Sequence, residues 1–298
     1  MKIKIKYFLL GSFSTILLLP ISVMIIGKER VKNSYYLVSS YLDKKIENKS
    51  YFPEKDFSSC LPDTIESIPI NASLVIGHAY GRSGSSKERD TLSPKIDKLL
   101  VENKNNIDTL FLTGDVFNIP SLEKWENLYQ KYEKYFDIYI APGNHDVFFP
   151  YRDLFTLYIG KKQPIQFPFL VKKAGFNILI DDSNIKDTIL ESSFKIEKFN
   201  KLDGDIIFLR HHVLIDKLSS YGGMNMSLRK KELFEKKLKH NNDIYFIYGN
   251  GGMRKEKPRI ACYKHKNFTH LLNGIGEFND DYIIVLSNKK ILLYQVKN

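Results

Sequence analysis

The chain has 298 residues, 43% hydrophobic and 27% charged, with 17 Gly and 11 Pro. With that composition disorder is not the default reading, and the chain is long enough for one large globular domain with a deep core. The net charge of +11 raises the question of an anionic partner, yet no zinc-finger spacing and no interleaving of aromatic with basic residues accompanies it, so no nucleic acid is expected.

The first 27 residues stand apart. Lys2, Lys4 and Lys6 precede a run from Tyr7 to Gly27 with no charged residue, long enough to cross a bilayer as a helix. A cleaved signal peptide is the competing reading, but Ser22 to Gly27 offers a poor small-residue cleavage site. The run is therefore expected to be an uncleaved, single-pass membrane anchor. Lys28, Arg30 and Lys32 beyond it nearly balance the three lysines before it, so charge alone does not set its topology. A polar connector, 28–65, follows, and then one catalytic-looking domain, 66–298.

Within that domain β-branched and aromatic runs predict strands at Ser73 to Ile76, Thr109 to Thr113, Ile138 to Ala141, Asn177 to Ile180, Ile206 to Leu209 and Ile244 to Tyr248. Further strands are expected at Thr269 to Leu272, Tyr282 to Ser287 and Ile291 to Val296. Apolar residues at spacings of three and four predict helices over Leu92 to Asn103 and Leu122 to Tyr135. Helices alternating with strands early, and strands joined by short turns late, imply an α/β domain with a mixed sheet or two packed sheets flanked by helices. The last two strands read as a hairpin at the sheet edge. The segments Arg229-Lys230-Lys231 and Lys236-Lys237 suit a solvated helix face, or contact with anionic lipid or a phosphorylated substrate.

Three strand ends carry chemistry. At Gly114-Asp115 a glycine opens a turn and leaves a carboxylate at the carboxyl edge of a strand, where open α/β sheets keep their sites; a turn cap is the plain alternative. At Gly143-Asn144-His145-Asp146 an amide oxygen suited to a hard metal stands beside an imidazole that can protonate a leaving oxygen, with Asp146 placed to fix the tautomer of His145. His211-His212 puts imidazoles at another strand end. Together these groups suit hydrolysis of a phosphate ester by metal-activated water.

The order Gly-Asp, then Gly-Asn-His-Asp, then a strand-end His resembles the calcineurin-like metallophosphoesterase superfamily over roughly 70–298. The resemblance implies a four-layer αββα sandwich of two mixed β-sheets flanked by helices, and one or two divalent ions, Mn, Fe or Zn. Its opening Asp-x-His becomes His78 and Tyr80 here, and its closing Gly-His-x-His becomes Gly249-Asn250-Gly251-Gly252. By correspondence one ion would take Asp115, Asn144, His211 and Asn250. The other would take His78, Tyr80 and Asp115, with Gly252 supplying no side chain.

Three functions follow from that pattern. The first is a membrane-anchored phosphoesterase with His145 as general acid, supported by Asp146. The second is a degenerate relative that binds a phosphorylated ligand without turnover, using Arg82 in the loop Gly81-Arg82-Ser83-Gly84-Ser85-Ser86, with Tyr80 and His212 also placed to contact substrate. The third is a structural membrane-tethered subunit. The substrate would be a phosphorylated small molecule or a lipid- or glycan-linked phosphate, and Tyr221 to Met226 reads as a loop near it. Cys60 and Cys262 could pair if the soluble domain lies outside the cytoplasm, the side favoured here, and would stay reduced in the cytosol.

Overall fold

A computed structural model of the chain describes residues 59–81, 90–184, 200–214, 242–251 and 260–297. The expected anchor, the connector up to residue 58, Arg82 with its loop, the 221–226 loop, both Lys-rich segments and Gly252 lie outside the described residues. Among the described residues no helix is long and apolar enough to cross a membrane.

Among the described residues twelve strands form two six-stranded sheets. The first holds β1 (Thr64–Ile65), β2 (Ala72–Ile76), β3 (Ile107–Leu112), β4 (Asp137–Ile140), β11 (Tyr282–Ser287) and β12 (Lys290–Gln295), in the order β1-β12-β11-β2-β3-β4. The second holds β5 (Phe169–Lys173), β6 (Phe176–Ile180), β7 (Ile206–Arg210), β8 (Ile244–Tyr248), β9 (Ile260–His265) and β10 (Phe268–Asn273), in the order β5-β6-β7-β8-β10-β9. Both sheets are mixed: β2, β3 and β4 run parallel, as do β6, β7, β8 and β10, while the remaining hairpins are antiparallel.

Alternation along each strand builds the layers. In β2, Ala72, Leu74 and Ile76 face the helices while Val75 faces the other sheet; in β7, Ile207 and Leu209 face back toward it while Ile206 and Phe208 point outward. The core between the sheets is thus made of Val75, Phe111, Ile178, Ile207, Leu209, Ile247, Leu271 and Ile284. Burying each such side chain fully stabilises the fold by about 1.5–3 kcal/mol before entropy is counted.

Helix α1 (Pro94–Glu102) starts on a proline, whose missing N–H would be unpaired there anyway. Helix α2 (Leu122–Tyr132) starts at Ser121, whose Oγ accepts from Lys124 N at 3.2 Å. They pack on the first sheet through Ile96, Leu100, Trp125 and Leu128, joined by Phe155 and Ile159 of α4 (Tyr151–Ile159). The short α3 (Asn144–Val147) precedes α4. Three layers of the expected αββα sandwich are therefore described; every described helix adds to the core on the first sheet.

Two expectations need correcting. The connector does not extend to residue 65, because β1 pairs with β12 inside the sheet, with Thr64 opposite Leu293. The β11–β12 hairpin is not at the edge: β1 covers one side and β2 pairs antiparallel with β11 on the other. Cys60 and Cys262 form a disulfide, with Cα atoms 5.6 Å apart. Strands β5 and β9 and helices α3 and α4 were not anticipated.

Candidate active site at the carboxyl edge of both sheets

The parallel strands of both sheets deliver their next residues to one edge: His78 after β2, Asp115 after β3, Asn144 and His145 after β4, His211 after β7 and Asn250 after β8. Glycine makes this convergence possible. A Cβ on Gly143 would lie 2.3 Å from Asp115 Oδ1, and one on Gly249 would lie 1.7 Å from the Thr113 carbonyl oxygen, so no larger residue fits either position. His78 (φ 53°) and Asp115 (φ 52°) both hold left-handed backbone conformations, which L-residues adopt only when their surroundings impose them.

Asp115 is the hub. Its Oδ1 accepts from His145 N at 3.0 Å, and its Oδ2 lies 3.4 Å from His211 Nε2 and 3.8 Å from His78 Nε2. The side chains of Asp115, His211 and His78 are buried. Burial opposes a charge on Asp115, but the surrounding imidazoles, His211 foremost, hold its carboxyl far below the usual range. Burial likewise works against a proton on His211, yet Asp115 beside it raises the imidazole above its ordinary value. For His78 burial wins and takes it down to about 4.

The tautomers follow from the partners. His211 Nδ1 sits 3.0 Å from the Thr113 carbonyl and His78 Nδ1 3.3 Å from the Ile275 carbonyl. A carbonyl only accepts, so each Nδ1 carries the proton and each Nε2 is left directed at Asp115 without a hydrogen-bond partner. His145 follows the same rule: Nδ1 donates to the Asn118 carbonyl at 2.8 Å, leaving Nε2 for a ligand.

Asp146 does not fix that tautomer. Its Oδ1 accepts from Val116 N at 3.0 Å and its Oδ2 from Gly143 N at 2.9 Å, so it ties the loops after β3 and β4 together through main-chain groups. Burial, with Asp115 nearby, pushes it up to about 7 against those two donors. The partner that orients His145, the Asn118 carbonyl, carries no side-chain signal in sequence.

Tyr80 and His212, expected to contact substrate, are both buried. Tyr80 is 1% exposed, with its ring 4.2 Å from that of His78 and 5.5 Å from that of His145. His212 is 3% exposed, and Ser183 Oγ meets both its Nδ1, at 3.1 Å, and its main-chain N–H, at 3.0 Å. Asn250 is nearly buried and donates its N–H to the His211 carbonyl at 3.1 Å, while Asn144 is half-buried at the start of α3. Asp181 to Asn184, directly after β6, also lie at this edge, beyond the motifs legible in sequence. Asp181 meets Arg210 at 3.4 Å, Asp182 meets Arg152 at 2.9 Å, and Asn184 Nδ2 donates to the Pro142 carbonyl at 2.8 Å. Their place directly after an apolar run was the available clue.

A model of the calcineurin-like phosphoesterase family matches residues 78–285, well over half of the chain. The chain belongs to that family. No curated protein matches it. Similar solved structures include a predicted phosphoesterase from Streptococcus pneumoniae TIGR4 (10% identity, TM-score 0.31, covering 72% of this chain and 81% of that one). A dimetal phosphatase from Danio rerio gives 10% identity and a TM-score of 0.43, covering 77% of this chain and 100% of that one. A 5'-nucleotidase from Candida albicans SC5314 gives 9% and 0.41, covering 75% of this chain and 49% of that one.

Calcineurin-like phosphoesterases generally use divalent metals, so the donors present in this member decide whether one fits. Among the described residues no three His, Cys, Asp or Glu side chains form a ready metal centre. The donors come instead as pairs, each Nε2 with the Asp115 carboxylate. In this family member both imidazoles give their other N–H to a main-chain carbonyl, the arrangement that readies a histidine as a metal ligand. Two buried ring nitrogens without hydrogen-bond partners facing one carboxylate oxygen require a cation, whether a proton or a metal ion. The donor set therefore fits an ion at Asp115, with amide oxygens rather than further acidic side chains left to complete it.

Proposed function

We propose that this calcineurin-like phosphoesterase hydrolyses a phosphate ester with a divalent ion held at Asp115 and with His145 as the general acid. The observation that carries the proposal is the convergence of His78 Nε2 and His211 Nε2 on Asp115 Oδ2, beside a histidine whose Nδ1 is already committed to the Asn118 carbonyl.

Asp115, His78 and His211 would hold the ion, with Asn144 and Asn250 as the remaining protein donors; imidazole nitrogen with one carboxylate suits Zn, Fe or Mn. When bound, such an ion supplies charge against the phosphoryl oxygens and lowers the pKa of a water. Asp115 also accepts the His145 N–H, which fixes the acid relative to the phosphate site. His145 would act as the imidazolium, with Nδ1–H donated to the Asn118 carbonyl and Nε2–H to the ester oxygen; as a water oxygen forms its bond to phosphorus and the ester P–O bond breaks, the Nε2 proton passes to the departing oxygen, so the alcohol leaves neutral, His145 is left neutral and the water's proton goes to solvent.

A tethered, extracytoplasmic enzyme is part of the same proposal. The uncharged run from Tyr7 to Gly27 would anchor it, and the Cys60–Cys262 disulfide favours an oxidising compartment.

The test is phosphate release from p-nitrophenyl phosphate by the full chain with Mn, Fe, Zn or Mg. Turnover should require a metal and fall by about 10²–10⁴ in His145→Ala. One feature favours a second function, binding without turnover: the family's first aspartate and last histidine are His78 and Gly252 here. Absence of turnover with every metal, alongside retained phosphate binding, would establish that function instead.

A further inference from the structure

A basic groove lies at the edge of the first sheet opposite the candidate site. Helix α1 leads from β2 to β3 and α2 from β3 to β4, and these strands are parallel, so both helices end at the amino edge of the sheet. At their ends is a groove of about 230 Å³. Leu100 and Val101 of α1 and Tyr135 beyond α2 are its apolar part, and Lys104, Lys131 and Lys134 its charged part; among the described residues no carboxylate lines it.

Lys104 Nζ stands 5.2 Å and Lys134 Nζ 4.9 Å from the centroid of one ring, that of Tyr135, so two ammonium groups share a single aromatic partner. Among the described residues neither makes an ion pair. The neighbouring carboxylates are already engaged. Asp97 holds Lys131, at 2.8 Å, and the Tyr132 hydroxyl; Glu133 holds Lys162, at 2.6 Å; Asp108 and Asp137 both meet Lys173, at 2.9 and 3.0 Å. Glu102 is exposed on α1 but does not line the groove. Each helix C-terminus adds about half a negative charge, which together with Asp97 offsets two of the three ammonium charges. The groove stays positive, and an anion between Lys104 and Lys134 relieves their repulsion.

Exposed apolar groups accompany that charge. Val101 is 51% exposed and Tyr135 40%. Ile70, 72% exposed, stands on the approach to β2, which Asn106 fastens to the turn carrying Lys104. The Asn106 side chain donates to the Ile68 carbonyl at 3.1 Å, and its main-chain carbonyl accepts from Ala72 N at 2.9 Å. Lysines alone would suit any polyanion. Lysines among exposed tyrosine and aliphatic side chains suit the interface of a bilayer, where ammonium groups meet phosphate and apolar groups enter the headgroup layer. The groove is also smaller than the usual ligand pocket of about 300–1,000 Å³, which matches a single headgroup.

We infer that this face docks on anionic phospholipid, with a headgroup phosphate between Lys104 and Lys134 and with Val101, Tyr135 and Ile70 in the headgroup layer. The candidate site, at the carboxyl edge, then points away from the bilayer. This docking rests on the tethered function for its nearness to a membrane and makes no use of phosphate hydrolysis.

The test is lysine acetylation, read by mass spectrometry, on the full chain in phosphatidylcholine nanodiscs with and without phosphatidylglycerol. Phosphatidylglycerol should slow acetylation of Lys104, Lys131 and Lys134 about fivefold, the factor that one lysine contributes near an anionic surface, and high salt should reverse the slowing. Lys297, exposed where β12 leaves the carboxyl edge, should be unaffected. In Lys104→Gln/Lys134→Gln, two surface changes of small cost to folding, Lys131 should lose its protection. Equal acetylation in the two lipids overturns the inference. Protection by poly-glutamate but not by phosphatidylglycerol overturns it too, and makes an acidic protein the partner. A chain that does not enter nanodiscs at all sinks the tethered function, and the same acetylation with phosphatidylglycerol vesicles then decides the docking by itself.

Discussion

His211 Nε2 stands 3.4 Å from Asp115 Oδ2 with no hydrogen bond between them, and both side chains are cut off from water. Because His211 Nδ1 is committed to the Thr113 carbonyl, only a cation between the two resolves the contact. Without a metal, Asp115 raises the His211 imidazole above its ordinary value and so favours a proton there, against the burial that opposes it; a divalent ion must displace that proton. Metal binding should therefore release a proton, and apparent affinity should weaken as pH falls through the raised His211 pKa. Mn or Zn at about a hundredfold over its Kd should stabilise the chain by about 2.7 kcal/mol. Asp115→Asn keeps an oxygen for the His145 N–H but loses the charge, and should abolish the metal-induced shift in Tm. An unchanged shift in that variant would place the ion elsewhere.

His78 gives the metal-free protein a pH dependence of known sign. Burial lowers its pKa to about 4, below the ordinary 6.5. Between those values the unfolded chain takes up a proton that the folded chain refuses, so the stability associated with a neutral His78 is present above about 6.5 and lost as pH falls toward 4. The full effect is on the order of 3 kcal/mol. Asp146, pushed up to about 7, acts in the opposite direction over much of the same window, so the informative quantity is a difference. Urea denaturation of wild type and His78→Gln, with chelator, should give curves that converge at low pH and separate above pH 6. Parallel curves would mean that His78 is not neutral when buried.

The strand ends were legible because each combines a β-branched run with a glycine and a metal-capable side chain, a local pattern that survives in sequence. Thus Asp115, Asn144, His145 and His211 could be placed, and with them the edge on which they meet. What main-chain atoms do was not legible. The Asn118 carbonyl that orients His145 leaves no trace in residue type, and the chemistry of Asp146 suits imidazole support as well as the main-chain caps it makes. Long-range pairing was hidden too: nothing local in Thr64-Ile65 announces a partner at Leu293 and Tyr294. Strand β9, with its run of Tyr263, Lys264 and His265, lacks the apolar alternation of its neighbours because it lies at the sheet edge.

Gln163 completes the exposed side of β4. Its Oε1 accepts from Ile140 N at 2.7 Å and its Nε2 donates to the Ile140 carbonyl at 2.8 Å, reproducing with one side chain the pair of bonds a neighbouring strand would make. Gln163→Ala leaves both main-chain groups buried without those partners, at a cost of about 2–3 kcal/mol. Gln163→Glu can still accept but, while ionised, cannot donate, and should fall between the two in urea midpoint. Since β4 runs straight into Gly143 and Asn144, amide exchange at Ile140 should accelerate in Gln163→Ala, and metal affinity should weaken with it. Wild-type stability in Gln163→Ala would show that water replaces the amide without loss.

The Cys60–Cys262 disulfide joins the approach to β1, at one edge of the first sheet, to β9, at one edge of the second. The bond closes a loop of 202 residues that contains every strand end of the candidate site. Constraining so long a loop in the unfolded chain, together with native contacts, is worth about 2–5 kcal/mol. Because β1 is only two residues long and, among the described strands, pairs with β12 alone, loss of the bond should release the N-terminal approach first and the sheets later. Reduction should therefore raise amide exchange at Thr64 and Ile65 well before it lowers the global Tm. On non-reducing gels the native chain should run faster than its reduced form, and Cys60→Ser should remove the difference. A difference that persists in Cys60→Ser would show the mobility shift to have another cause. Full modification of both thiols in the native protein without reductant would show that the bond does not form in its own compartment, and with it would go the argument that the domain faces an oxidising one.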